Sequence, residues 1–212
     1  MKFVPLHVHS HYSLLDGLAK IDDLIAKAKA DGIEAMALTD HGNMYGIIEF
    51  AQKAKKAGIK PIFGVEIYVA PYGLHNKRTK IDEERYHLIL LAKNNIGYQN
   101  LLKLVTIAHL EGFYYKPRID LETLEKYSEG LIGLSACLEG EIPSSILTYK
   151  DQKKTEAVLD KYLKVFGKDN FFLELQSHTN SRDQKFVNQK LIELGKKLGV
   201  DLVATNDTHY VN

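Results

Sequence analysis

The sequence predicts an α/β fold in which about seven strand–helix units close into a barrel, with a doubly wound open sheet as the alternative. Three observations lead there. Short apolar runs alternate with amphipathic helical patterns. Gly32, Gly58 and Gly199 each sit between a helical pattern and the next apolar run, where a left-handed residue ends a helix. Polar steps rich in histidine recur where the runs finish. The first strand is expected over residues 3–9. Ile21, Leu24, Ile25 and Ala28 then recur at i, i+3, i+4 and i+7, one face of a helix. A strand over 34–39 follows, then the same spacing at Ile47, Phe50, Ala51 and Ala54. The third strand is expected over 61–70 and the fourth over 86–92, separated by 71–85, a polar stretch without period that reads as an exposed loop. Leu101, Leu104, Val105 and Ala108 mark the next helix, before strands over 130–136 and 171–176. Val187, Leu191, Leu194 and Leu198 share the face of a late helix, and residues 201–205 form the last strand. Strands and helices in such alternation imply a parallel sheet covered by helices.

Composition narrows the class. The chain has 212 residues, 45% hydrophobic and 26% charged, which suits one large globular domain and excludes a disordered chain. No apolar run approaches the roughly 18 residues of a membrane span, and the N-terminus carries no export pattern. One cysteine excludes a disulfide framework and fits a reducing compartment. A net charge of +1 argues against tight, non-specific DNA binding by this chain alone. The chain stops at Asn212, a few residues past its last strand with no helix to complete the unit, so 1–212 reads as a single domain cut from a longer polypeptide.

Chemistry in such folds gathers at the carboxyl ends of the strands. The first strand ends in His7-Val8-His9-Ser10-His11, where His7 and His9 share a face about 7 Å apart and can converge on one metal ion. Thr39-Asp40-His41-Gly42 ends the second strand, and Glu66 lies in the third. Ser135-Ala136-Cys137 and Asn206-Asp207-Thr208-His209 end two later strands, and Asp207 and His209 share a face if the chain stays extended. Asp16 follows in the first strand-to-helix loop. Each has a plain alternative: Cys137 as a small buried hydrophobe, Asp40 as a helix cap, Glu66 as a structural carboxylate. Recurrence at one end of successive strands favours a metal site over scattered structural roles. His87 breaks the pattern, since it stands at the start of its strand and by position reads as structural. His75 and His109 read as solvated, and His178 as an unassigned candidate.

Taken together, His7-x-His9, Thr39-Asp40-His41, Gly64-Val65-Glu66, Ser135-Ala136-Cys137 and Asn206-Asp207-Thr208-His209 resemble the PHP (polymerase and histidinol phosphatase) domain family. The segments from His7 to Gly17, Tyr114 to Asp120 and Asn206 to Tyr210 are similar to the N-terminal domains of the alpha subunits of bacterial replicative DNA polymerases. The resemblance runs from Lys2 to Asn212. It implies a distorted seven-unit TIM-like barrel with up to three divalent metal ions, zinc, manganese or iron, at its C-terminal face. Position by position, the implied ligands are His7, His9, Asp16, His41, Glu66, His87, Cys137, Asp207 and His209, which brings His87 into the site. The phosphatase branch often has His where this chain has Asp16 and Cys137, so those two fit the polymerase branch.

With Cys137 as thiolate, the donor set carries four negative charges against the six of three divalent ions. The pocket thus stays positive and attracts an anion. Several ions in one site suit phosphoester hydrolysis, because they activate water and clamp the attacking and leaving oxygens. The implied activity is a 3′→5′ exonuclease that removes misincorporated nucleotides. Asp16 and Asp207 are expected to be its most sensitive residues, and Arg118, with Lys116, is a candidate to hold a substrate phosphate. Implied partners are a DNA 3′ end, the remaining polymerase domains and other replisome subunits, with no membrane, in the bacterial cytoplasm. The rivals are a metal-stabilised structural or partner-binding domain, a free phosphatase such as histidinol phosphatase, and an amidohydrolase-like barrel acting on C–N bonds.

Overall fold

A computed structural model describes residues 3–14, 16–178 and 180–211; Met1, Lys2, Leu15, Thr179 and Asn212 lie outside the described residues. Its strands are β1 (Ala35–Leu38), β2 (Lys60–Val69), β3 (Tyr86–Ala92), β4 (Arg118–Ile119), β5 (Leu131–Leu134), β6 (Phe171–Gln176) and β7 (Leu202–Thr205). The helices are α1 (Ile21–Ala30), α2 (Ile47–Ala57), α3 (Asn95–Leu110), α4 (Leu121–Lys126), α5 (Glu141–Tyr149), α6 (Gln152–Phe166) and α7 (Arg182–Leu198). The sheet runs β1-β2-β3-β5-β6-β7, with β4 beside β2. Residues 3–9 form extended backbone instead of a regular strand. Pro5 O accepts from Ala37 N and Val8 O from Thr39 N, each at 2.8 Å, on the β1 side. On the other side His9 N donates to Thr208 O at 2.8 Å and Thr208 N to His7 O at 3.1 Å. The segment therefore bridges the two edges of the sheet and curls it into the distorted barrel.

The expectation of an all-parallel sheet is corrected at β3, which is antiparallel to both β2 and β5. A parallel return needs a crossover helix, and the polar segment 71–85 between β2 and β3 contains none. The chain turns back at the same end of the sheet, so the start of β3, with His87 as its second residue, lies where the parallel strands finish. That is why a histidine at a strand start belongs with residues at strand ends.

Strand alternation sorts the core. Leu88 and Leu90 of β3 and Val65, Ile67 and Val69 of β2 face outward into the layer covered by α3–α7. Ile89 and Leu91 point inward and pack with Ala37, Leu134 and Ala136. His87 and Glu66 have the inward parity. The barrel is thus plugged by apolar side chains below and lined by polar ones above.

Segment 71–85 is held by Arg118, a fully buried side chain in β4. Its Nε donates to Gly112 O (3.1 Å), Nη2 to Asn76 O (3.0 Å) and Nη1 to Asp82 O. The expected phosphate contact by Arg118 is therefore corrected: its donors are spent on three backbone carbonyls. Asp82 closes the clasp, accepting from Arg78 N, Nε and Nη2 at 2.7–2.9 Å. The Arg78 guanidinium holds the Asp82 carboxyl down to about 2. The folded value is depressed below the unfolded one of about 3.9, so the contribution is complete above the unfolded value and is lost as pH falls through the folded one. Thermal melts between pH 6 and 2 should show Asp82→Asn less stable near neutrality, with the gap to the parent chain closing toward pH 2. A gap that does not change with pH would refute the clasp.

Candidate metal centre

The polar end of the barrel is assembled from several separate places in the chain. His7 and His9 come from the edge-bridging segment, and His41 follows β1 in a bridge to Glu66 of β2. His87 opens β3, Cys137 follows β5, and Asp207 and His209 follow β7. Three groups of donors each lie within 4.8 Å: His9, His41 and His209; His7, His9 and Glu66; Glu66, His87 and Cys137. His9 and Glu66 each belong to two of them. Asp207 Oδ1 lies 3.1 Å from His7 Nε2 and 3.3 Å from His9 Nε2. Asp16 stands at the rim, half-exposed, with Oδ2 3.2 Å from His41 Nε2. All nine side chains expected as ligands meet here, and His178 does not join them. The expectation that Asp207 and His209 share a strand face is corrected, because Asp207 adopts φ 49° and the backbone turns left-handed there. The turn brings the Asp207 carboxylate to His7 and His9.

Outer contacts fix how each imidazole presents itself. A hydroxyl has one proton and two acceptor sites. Ser13 Oγ gives its proton to Asp40 Oδ1 at 2.7 Å, so it accepts from His41 N (3.1 Å) and from His9 Nδ1 (3.0 Å). Glu174 Oε1 accepts from His7 Nδ1 at 2.7 Å, and Asp207 O from His209 Nδ1 at 3.0 Å. Glu66 Oε2 accepts from His41 Nδ1, and Glu139 Oε2 from His87 Nε2 at 3.0 Å. His7, His9, His87 and His209 then each have one nitrogen committed outward and the other turned to the cluster, while the committed nitrogen of His41 meets Glu66, itself a cluster donor. His41 and His209 face one another Nε2 to Nε2 at 3.4 Å. The two Nε2 atoms thus face each other across a gap that either a proton or a cation between them would satisfy.

His7 Nε2, His9 Nε2, Glu66 Oε1 and Asp207 Oδ1 are buried without a hydrogen-bond partner, although they approach one another within 3.1–3.3 Å. Groups of this kind are costly unless something binds them. Burial raises the Glu66 carboxyl, but the facing His87, His41 and His7 outweigh it and hold Glu66 well below the carboxylate range. Burial likewise opposes protonation of His87, His41 and His7, yet Glu66 lifts the first two and Glu174 the third. Burial lowers His9 and raises the Cys137 thiol. A cation bound among these groups would compete with protons for them. Imidazole, carboxylate and thiol donors together fit zinc, manganese or iron.

Several supporting residues were not expected from sequence. Glu174 and Gln176 alternate with apolar neighbours in β6, a period-two signal that placed them inward. Asp40 is no helix cap; it accepts from Ser10 N (2.7 Å) and from the Ser10 and Ser13 hydroxyls, tying the His9 loop to the end of β1. Gly17 is required in that loop, since a Cβ there would lie 2.0 Å from Ser10 O. His109 is not solvated; its Nε2 meets Gly42 O at 2.9 Å.

A barrel of this kind with a histidine–carboxylate cluster at its mouth defines a PHP domain. The PHP domain family matches residues 5–178, and the chain belongs to that family. Three proteins similar to it are alpha subunits of DNA polymerase III. It is 55% identical over 212 residues to the DNA polymerase III subunit alpha of Borreliella burgdorferi, covering 100% of this chain and 18% of that protein. It is 47% identical over 216 residues to that of Aquifex aeolicus, with 99% and 18% covered, and 50% identical over 215 residues to that of Thermus aquaticus, with 100% and 17% covered. The chain therefore spans less than a fifth of the length of these relatives. Among solved structures, an amidohydrolase from Chromobacterium violaceum with bound sulfate and no metal superposes with a TM-score of 0.63 at 15% identity, covering 97% of this chain and 87% of that one. A putative metal-dependent phosphoesterase from Bifidobacterium adolescentis gives 0.60 at 11% identity, with 98% and 87% covered. These two likenesses establish the shared fold.

Proposed function

We propose that residues 1–212 are one PHP domain at the N-terminal end of a bacterial replicative polymerase alpha subunit, and that its cluster hydrolyses phosphodiesters as a 3′→5′ exonuclease. The observation that carries this is the set of inward-facing imidazole nitrogens beside two buried carboxylate oxygens that have no hydrogen-bond partner. His7, His9, Asp16, His41, Glu66, His87, Cys137, Asp207 and His209 would hold up to three divalent ions. Bound there, such ions supply Lewis acidity and water of lowered pKa. The chain's own part is to orient. Ser13, Glu174 and Glu139 aim the imidazoles, and Asp207, between His7 and His9, sets the inner wall against which a phosphodiester would sit. Asp16, half-exposed at the rim, is placed to accept a proton as water is drawn in. The remaining polymerase domains, other replisome subunits and a DNA 3′ end would be its partners, in the cytoplasm. Among the described residues no helix is long and apolar enough to cross a membrane.

Release of nucleoside monophosphates from single-stranded and 3′-mismatched DNA, with manganese or zinc, tests the reading. The parent chain should release them, with Asp207→Asn and Asp16→Asn slowed at least about tenfold. Equal rates in all three proteins would instead support a structural domain, and turnover of histidinol phosphate but not DNA a free phosphatase.

A further inference from the structure

We propose that Arg85 and Lys116, poised over the ring of Tyr68, receive a second phosphate of the substrate, one nucleotide step from the bond that is cut. Resting on the phosphodiesterase reading above, this fits the site to an oligonucleotide end rather than to a simple monoester. Tyr68 lies two residues after Glu66 in β2, on the same face of the strand. Its ring centroid is 5.2 Å from that of His87 and 6.3 Å from that of His41, so the ring adjoins the cluster. Arg85 Cζ is 5.8 Å and Lys116 Nζ 5.7 Å from the same centroid. Backbone fixes both. Tyr114 N donates to Lys116 O at 3.0 Å, and Arg118 pairs with Tyr68 in register. Gly42, at φ +62°, passes where a Cβ would lie 2.7 Å from Pro117 and 3.2 Å from Tyr68, which seats the Lys116–Pro117 step directly against the residue after His41. Arg85 stands two residues before His87.

Neither cation has an ion-pair partner among the described residues. Arg85 Nη1 donates to Glu83 O at 2.8 Å. Its other N–H groups and the Lys116 ammonium have no hydrogen-bond or ion-pair partner among the described residues. A cation–ring contact at such a distance is weak, which leaves both cations available to an anion. The guanidinium fork suits phosphate oxygens. Arg118, whose donors are committed, leaves this role to its neighbours.

The test compares Arg85→Gln, Lys116→Gln and the double variant in the manganese-loaded chain, on bis(p-nitrophenyl) phosphate, which has one phosphate, and on single-stranded decathymidylate. For the decamer, KM should rise about tenfold per substitution with kcat within about twofold, and the small ester should lose far less. The salt dependence of decamer binding should fall by about 0.7 in log–log slope for each cation removed. Equal losses on both substrates, or an unchanged decamer KM and salt slope, would overturn the assignment. If the parent chain cuts neither substrate, the hydrolytic reading fails by itself. Decamer binding, followed by fluorescence anisotropy, then still decides the clamp, and equal affinity of the double variant and the parent overturns it.

Discussion

Glu66→Gln is expected to reduce phosphodiester hydrolysis by more than about 100-fold and to leave the chain with fewer bound ions than its parent. Glu66 occupies two of the three donor groups. Its Oε1 lies 2.9 Å from His87 Nδ1 and 3.3 Å from His7 Nε2, while Oε2 takes the His41 proton. The amide keeps the shape, removes the negative charge and turns an N–H donor toward atoms that need to offer lone pairs. Asp16, expected from sequence to be among the most sensitive residues, is half-exposed and touches the cluster through His41. The geometry therefore ranks Glu66 and Asp207 above it. Elemental analysis of dialysed protein together with hydrolysis rates reads both effects. A Glu66→Gln chain that retains the parent's ions and rate would remove the basis for a shared, multi-ion cluster.

Glu174→Ala should cost about 3 kcal/mol or more of folding stability in the metal-free chain, the range found when one partner of a buried charged pair is deleted. Glu174 is almost fully buried and pairs with His7 Nδ1 at 2.7 Å. Its carboxylate also accepts from Gln176 Nε2 at 3.0 Å and from the Thr205 hydroxyl. Truncation strands all three donors and leaves the charge on His7, which Glu174 raises against its burial, without a counterion. Ion affinity should fall by 10- to 100-fold, since His7 loses the contact that aims it. Glu174→Gln retains an acceptor and should recover part of the stability. Urea midpoints and calorimetric titration with zinc measure the two effects. A loss below about 1 kcal/mol would mean that the His7–Glu174 pair is solvated in solution.

Much of the site was legible because its chemistry is carried by side chains at strand ends, and strand ends can be read from apolar runs. His7, His9, His41, Glu66 and His209 were placed in this way. By position alone His87 reads as structural, because an alternating pattern implies parallel strands throughout. The absence of a helical period over 71–85 was the available sign that β3 would return antiparallel. Arg118 shows the opposite failure. A cation beside a lysine and a proline reads as an anion contact, but three backbone carbonyls from distant loops claim its donors. Sequence contains no record of which carbonyls a folded loop leaves exposed.

The amino-acid sequence by itself determined the alternating α/β architecture, the polar strand ends and the identity of a donor set suited to divalent cations. These rest on local periodicity and residue chemistry, which survive any arrangement of the elements. Tertiary structure alone decided which donors lie within reach of one another, which nitrogen of each imidazole turns inward, and which cations stand beside the mouth. Those depend on contacts between residues about 200 positions apart, such as His7 with Asp207. Only closure of the barrel brings them within hydrogen-bonding distance.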